Sequence, residues 1–306
     1  IPLIIKNNLQ SDILVLVNTN TWEAYNDWAG LDGKASLYKW EIYEEYNKTA
    51  YKYKGDHYSN FVSYNRPNPI NSFEIKTFNF LYSNYQSHKL VGELFLLKWL
   101  TDNNYTYNII TDTDLHNNPL ILNQYKIFIL NCHPEYWTFD MIKGLYKYID
   151  NSGQVMYLAG NGLYWKTVVN ENQIEVQKNA NRHELNNELG GKWINLQDEI
   201  YPLPSSEKII GQWYDSSSYD IQNSYPYEIS DLNHWIFTDV NTENNLIGTD
   251  TLNSKFGYTH KGASGWEVDM SYIDKQYTIA KGKPPSDDIT HNNDMIYYET
   301  EKNGKM

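Results

Sequence analysis

The chain has 306 residues, 41% of them hydrophobic and 15% aromatic, with a formal net charge of −13. That is enough apolar material for one large domain, or one domain with an appendage. The acidic balance repels phosphate backbones and argues against a nucleic-acid partner, and no apolar run approaches the roughly 18–20 residues needed to span a membrane.

A single cysteine, Cys132, excludes an internal disulfide framework and a cysteine-based zinc cluster. It fits a reducing, cytoplasmic setting. Ile1–Ile5 is short and lacks a basic leader, and a chain beginning with Ile is expected to be a piece of a longer polypeptide. Arginine occurs only at 66 and 182 while Lys, Asn, Ile and Tyr abound. We read this as the mark of an AT-rich genome, so no lone Tyr or Asn carries much weight.

In chain order, the apolar run at 12–17 closes on Asn18-Thr19-Asn20 and predicts a buried parallel strand. Residues 86–103 predict an amphipathic helix, with Leu90, Leu94, Leu97 and Leu100 on one stripe. Strands follow at 107–110 and 126–130. Thr138 predicts the cap of a helix running to about 149 and ending before Gly153. A fourth strand at 154–158 stops at Gly160-Asn161-Gly162. This alternation predicts a doubly wound, mostly parallel α/β sheet, with ligands gathered beyond the carboxyl ends of its strands. Residues 1–165 are expected to form the α/β core of a single catalytic domain. Residues 166–306 are expected to be an irregular, β- and loop-rich extension packed on it, with a last strand near 295–300.

Chemistry concentrates at those strand ends. Cys132-His133-Pro134-Glu135-Tyr136-Trp137 follows the third strand, and in extended backbone His133 and Glu135 share a face while Cys132 points away. A His and a carboxylate side by side suit metal ligation or acid/base work; the plainer alternative is that His133 caps the next helix and Glu135 favours its dipole. The same alternation argues against a Cys132–His133 nucleophilic pair. The His-x-Glu spacing of zinc deaminases fails for want of a downstream Cys-x-x-Cys. Asn18 to Trp28 is dense in polar groups and aromatics, and Tyr64-Asn65-Arg66-Pro67 places a tyrosine beside a rare arginine. Both could equally be packing and turn. Asn161 sits at the tip of a strand-to-helix turn and can donate hydrogen bonds to an oxyanion. Glu267, after the flexible Gly262-Ala263-Ser264-Gly265, reads by default as a surface carboxylate.

Taken in order, Asn18 to Asn26, Tyr64 to Pro67, His133 to Trp137, Gly160 to Gly162 and Gly265 to Asp269 resemble the catalytic region of the N,N-dimethylformamidase large-subunit family, over about residues 10–300. The resemblance implies a class I glutamine amidotransferase-like (flavodoxin-like) fold without its nucleophilic cysteine, and an amidohydrolase cleaving the C–N bond of a small amide. It implies a mononuclear Fe(III) held by Tyr25, Tyr64 and Glu135, with His133, Asn161 and Glu267 as catalytic residues. Tyr25 competes with the nearby Tyr38, Tyr43 and Tyr46. Family members are longer, and the resemblance further implies a small partner subunit and a homo-oligomer. Two other readings stay open. One is a different hydrolase on this scaffold. The other is a non-catalytic carbohydrate- or ligand-binding domain stacking sugars on Trp22, Trp28, Trp137 and Trp165.

Overall fold

The structure, a computed structural model, describes residues 4, 6, 9–26, 37, 59–66, 68, 89–196, 203–214, 220–250, 252–253, 259–260, 262–266, 269–271, 277–282, 294–301 and 306. Its first elements are β1 (Ile13–Val17), α1 (Thr19–Tyr25), β2 (Phe61–Ser63), α2 (Leu90–Asp102), β3 (Tyr107–Thr111) and α3 (Asp112–Asn117). They are followed by β4 (Ile127–Cys132), β5 (Tyr136–Trp137), α4 (Phe139–Asp150) and β6 (Gln154–Ala159).

β1, β3, β4 and β6 form one parallel sheet in the order β3-β1-β4-β6. Its central strands β1 and β4 are aliphatic on both faces because both faces are covered, whereas edge strand β6 exposes Met156 and Leu158 on one face. Leu14, Leu16, Phe128, Leu130 and Val155 pack with Leu115 of α3 and with Met141, Ile142, Leu145 and Tyr148 of α4. Val15 and Ile129, of opposite parity, pack on Leu100 of α2. Of the leucine stripe predicted for α2, Leu97 and Leu100 pack here together with Leu96, whereas Phe95 and Trp99 face outward. The Thr138 side chain accepts the Met141 N–H, so α4 is capped where its sequence predicts. α3, which the sequence reading lacked, opens on a capping box between Thr111 and Asp114.

The second half is built of short antiparallel pieces. β7 (Trp165–Lys166) lies parallel to β5, while β8 (Val168–Val169) and β9 (Gln173–Glu175) pair with each other and, through β9, with β2. These pairings bring the segments after β2 and β4 together above the sheet. Trp193, Leu196, Ile209 and Ile210 join the main core, whereas Ile229, Phe237, Ile279 and Ala280 build a small core of their own. Strand Asp269–Ser271 pairs with Gln212–Tyr214, and strand Asp294–Ile296 with Thr278–Gly282. Among the described residues no helix is long and apolar enough to cross a membrane.

Candidate functional site

The sheet's carboxyl edge positions the site. β4 ends at Cys132 in a left-handed conformation, φ +67, which is costly for a residue with a Cβ and turns the chain out of the sheet. Pro134 then sits at the centre of a tight turn in which the Glu135 N–H donates to the His133 carbonyl at 2.9 Å. His133 and Glu135 do face one another, but through this turn and not through the extended strand predicted for them. Their side chains meet with Nε2 of His133 3.0 Å from Oε2 of Glu135, and both residues are 2% exposed. His133 does not cap α4; Thr138 does.

α1 holds this turn from above. Asn20 and Thr21 are polar yet buried because they serve the 133–136 backbone. The Thr21 hydroxyl donates to the His133 carbonyl at 2.8 Å and accepts the Glu135 N–H at 3.2 Å, and Asn20 Nδ2 donates to the Tyr136 carbonyl at 3.2 Å. The start of α1 is in turn held by two buried carboxyl groups. Asp112 accepts the Asn20 N–H at 2.7 Å, and Glu93 accepts the Asn18 N–H at 3.2 Å. Thr21→Val keeps the shape of the side chain but strips both bonds from a buried turn, so a loss of about 1–3 kcal/mol is expected in urea unfolding. A variant as stable as the parent would show that the hydroxyl is dispensable to the turn.

The last residue of α1 completes the centre. The Tyr25 hydroxyl lies 3.2 Å from His133 Nε2, with the two rings edge to face at 5.7 Å between centroids. On the other side of the imidazole, Nδ1 is 3.0 Å from the Gly160 carbonyl. A carbonyl can only accept, so Nδ1 carries a proton and Nε2 is the nitrogen left to exchange one. When neutral, Nε2 accepts from the Tyr25 hydroxyl; when charged, it donates to Glu135.

Tyr64 is arranged differently. It packs in the same apolar cluster as Tyr25 and Tyr136, but its hydroxyl donates to Asn20 Oδ1 at 2.7 Å. Burial, with Asp112 and Glu23 adding to it, pushes this phenol well above its ordinary range. The neighbouring Arg66 binds Glu23 of α1, Nε to Oε2 at 3.1 Å, which ties the Tyr64 segment to the helix that carries Tyr25.

Asn161 stands in the turn after β6 with φ +55, is 3% exposed, and leaves its Oδ1 without a hydrogen-bond partner. Its backbone N–H donates to Asp269 at 2.7 Å, so Asp269 reaches the turn after β6. Glu267, Trp28, Tyr38, Tyr43 and Tyr46 lie outside the described residues.

The structure adds two lysines that sequence reasoning missed. Lys178 lies over the rings of Tyr136 and Trp165, at 5.7 and 5.2 Å. Burial brings its ammonium down to about 8, with the negative charge of Glu135 pulling the other way. Lys89, 3% exposed, lies 4.9 Å over the Tyr25 ring. Neither stood out in a lysine-rich chain, because only tertiary packing brings them here. Two residues offered for sugar stacking are elsewhere: Trp22 and Trp137 are 3% and 0% exposed, part of the interior. The Cys132 thiol, pushed up to about 12 by burial and by Glu93, is not an activated nucleophile.

Among the described residues no group of three or more His, Cys, Asp or Glu side chains could hold a metal. Tyrosine oxygens are the further donors present. Tyr25 and Glu135 both place an oxygen beside His133 Nε2, a phenol and carboxylate pair that suits a hard cation. Tyr64 shares the apolar cluster of Tyr25, but its hydroxyl is held by Asn20 and its phenol is kept protonated by burial.

The chain matches over residues 1–306 the family model described as N,N-dimethylformamidase beta subunit-like, C-terminal. Similar proteins include the N,N-dimethylformamidase beta subunits of Alcaligenes sp and Paracoccus aminophilus, 26% and 24% identical over 217 residues. Each alignment covers 65% of this chain but 26% of the relative, so the chain matches only about a quarter of their length. With a family match that runs from its first residue to its last, the chain belongs to the N,N-dimethylformamidase beta subunit-like C-terminal family.

Proposed function

We propose that this chain carries the reacting centre of a metal-dependent amidohydrolase; the relatives' name, N,N-dimethylformamidase, supports cleavage of the C–N bond of a small amide. The observation that carries the reading is the convergence of Tyr25, His133 and Glu135 on one buried point at the carboxyl edge of the sheet. Within this reading the sheet is of the glutamine amidotransferase-like, flavodoxin-like type. Tyr25, Tyr64 and Glu135 would hold Fe(III), which when bound supplies Lewis acidity toward the amide carbonyl.

The chain's own residues handle the proton. His133 Nε2 is the available base, because Nδ1 is committed to Gly160. In the proposed reaction a water oxygen bonds to the carbonyl carbon while Nε2 takes the water's proton. The same nitrogen then returns that proton to the amide nitrogen as the C–N bond breaks, releasing a carboxylic acid and an amine. Glu267 is the alternative base, and the Asn161 amide is proposed to donate to the oxyanion. Lys178, beside Glu135, adds positive charge where negative charge develops.

The relatives' designation as beta subunits supports a partner subunit here, with a homo-oligomer proposed alongside it. The lone Cys132 supports a cytoplasmic setting. The test is release of amine from a panel of small amides, N,N-dimethylformamide among them, by iron-loaded protein. Turnover that depends on iron supports the reading, and an iron-loaded protein inert on the whole panel overturns it. The burial of Trp22 and Trp137 removes half of the aromatic set on which a sugar-binding reading stood.

A further inference from the structure

The turn at 160–162 is held by a residue from the far half of the chain. Asp269, 5% exposed, accepts the Asn161 N–H through Oδ1 at 2.7 Å and the Tyr157 hydroxyl through Oδ2 at 2.5 Å. That phenol in turn accepts the Gly162 N–H at 2.8 Å. The turn is tight: a Cβ at Gly162 would stand 2.5 Å from the Tyr157 ring, and both Asn161 and Leu163 are left-handed. One carboxylate, directly and through Tyr157, therefore fixes two successive peptide N–H groups. The peptide that Asp269 grips by its nitrogen, Gly160–Asn161, is the one whose carbonyl receives the proton of His133 Nδ1.

That shared peptide unit is planar and rigid. Where Asp269 places its N–H fixes where its C=O lies, and the C=O sets the tautomer and orientation of the imidazole. We propose that Asp269 is a positioning residue for the hydrolase: by clamping the Gly160–Asn161 peptide, it keeps His133 Nε2 aimed at Tyr25 and Glu135. The proposal rests on the amidohydrolase reading for its effect on turnover, but not for the placement of His133.

The test compares Asp269→Ala, Asp269→Asn and Tyr157→Phe with the parent in the full chain. Asp269→Asn is the same size and still accepts the Asn161 N–H, but it presents an N–H to Tyr157, so it disturbs one bond where Ala removes both. It serves if the Ala variant does not fold. Hydrogen exchange over residues 157–163 is expected to quicken in each. The kcat is expected to fall about 10- to 100-fold, most in Ala, while KM stays within about threefold, because a misaimed base weakens the step and not the binding. Quickened exchange with parental kcat, or unchanged exchange, overturns the proposal. A parent that turns over no amide counts against the amidohydrolase reading alone. A crystal structure of Asp269→Ala, or of Asp269→Asn if Ala does not fold, then decides. The proposal requires the imidazole to have left the Gly160 carbonyl, and an unmoved His133 overturns it whatever the activity.

Discussion

Replacing His133 by asparagine is expected to lower amide turnover by about 10²–10⁴-fold, the usual worth of a positioned acid/base group, while bound iron is retained. Asparagine places an amide near the position of Nδ1 and can keep a bond to the Gly160 carbonyl, so the buried turn retains its partner. What it lacks is a group at Nε2 that accepts and returns a proton. The side chain sits 2% exposed between Gly160 on one side and Tyr25 and Glu135 on the other. A stopped assay for released amine, with unfolding curves confirming a folded variant, separates chemistry from stability. Parental kcat in a folded His133→Asn protein would remove His133 from the proposed chemistry and leave Glu267 as the base.

A second large effect concerns stability. Glu93 of α2 is 3% exposed, and its Oε1 accepts from the Asn18 N–H, Asn18 Nδ2 and Trp22 Nε1 at 3.2, 2.9 and 3.0 Å. Its Oε2 has no hydrogen-bond partner, which suits a protonated acid. Burial pushes this carboxyl up to about 8. Because the folded value lies above the unfolded one, the group's contribution is complete below about pH 4.5 and is lost as pH rises through 8. At about 1.4 kcal/mol per pK unit the whole window is worth roughly 5 kcal/mol. Burial also raises Asp112 to about 7 and Asp269 to about 6, and these slope the same way at lower pH. Lys178, brought down to about 8, acts in the opposite sense above that pH. Urea unfolding at pH 7 and pH 8 therefore isolates Glu93 best. The parent is expected to lose about 1 kcal/mol across that step, and Glu93→Gln to lose little. An equal loss in both would show that Glu93 is not the titrating group.

The parts that local pattern controls were legible in the sequence. The apolar runs gave β1, β3, β4 and β6 to within a residue or two, and Thr138 marked the start of α4. α3 was missed although Thr111 and Asp114 carry a capping-box spacing, because the box holds Asp in place of Glu and leads into a short polar helix. At the site, the pairing of His133 with Glu135 was legible from their spacing, but not the turn around Pro134, since nothing local announces a left-handed Cys132. Thr21, Lys178 and Asp269 act across long stretches of sequence, Asp269 over 108 residues to Asn161. Thr21 acts once α1 lies over the 133–136 turn, and Lys178 and Asp269 only once the second half has folded over the sheet's edge.

The proposed ferric ion at this edge, held by Glu135 with Tyr25 and Tyr64, underlies the proposed chemistry. Its most direct test is elemental analysis of the purified parent and of Glu135→Ala, each paired with a visible absorption spectrum. Stoichiometric iron and a tyrosinate-to-iron charge-transfer band are expected in the parent, with both lost in the variant. A Glu135→Ala protein that stays iron-replete, with the band unchanged, would contradict it.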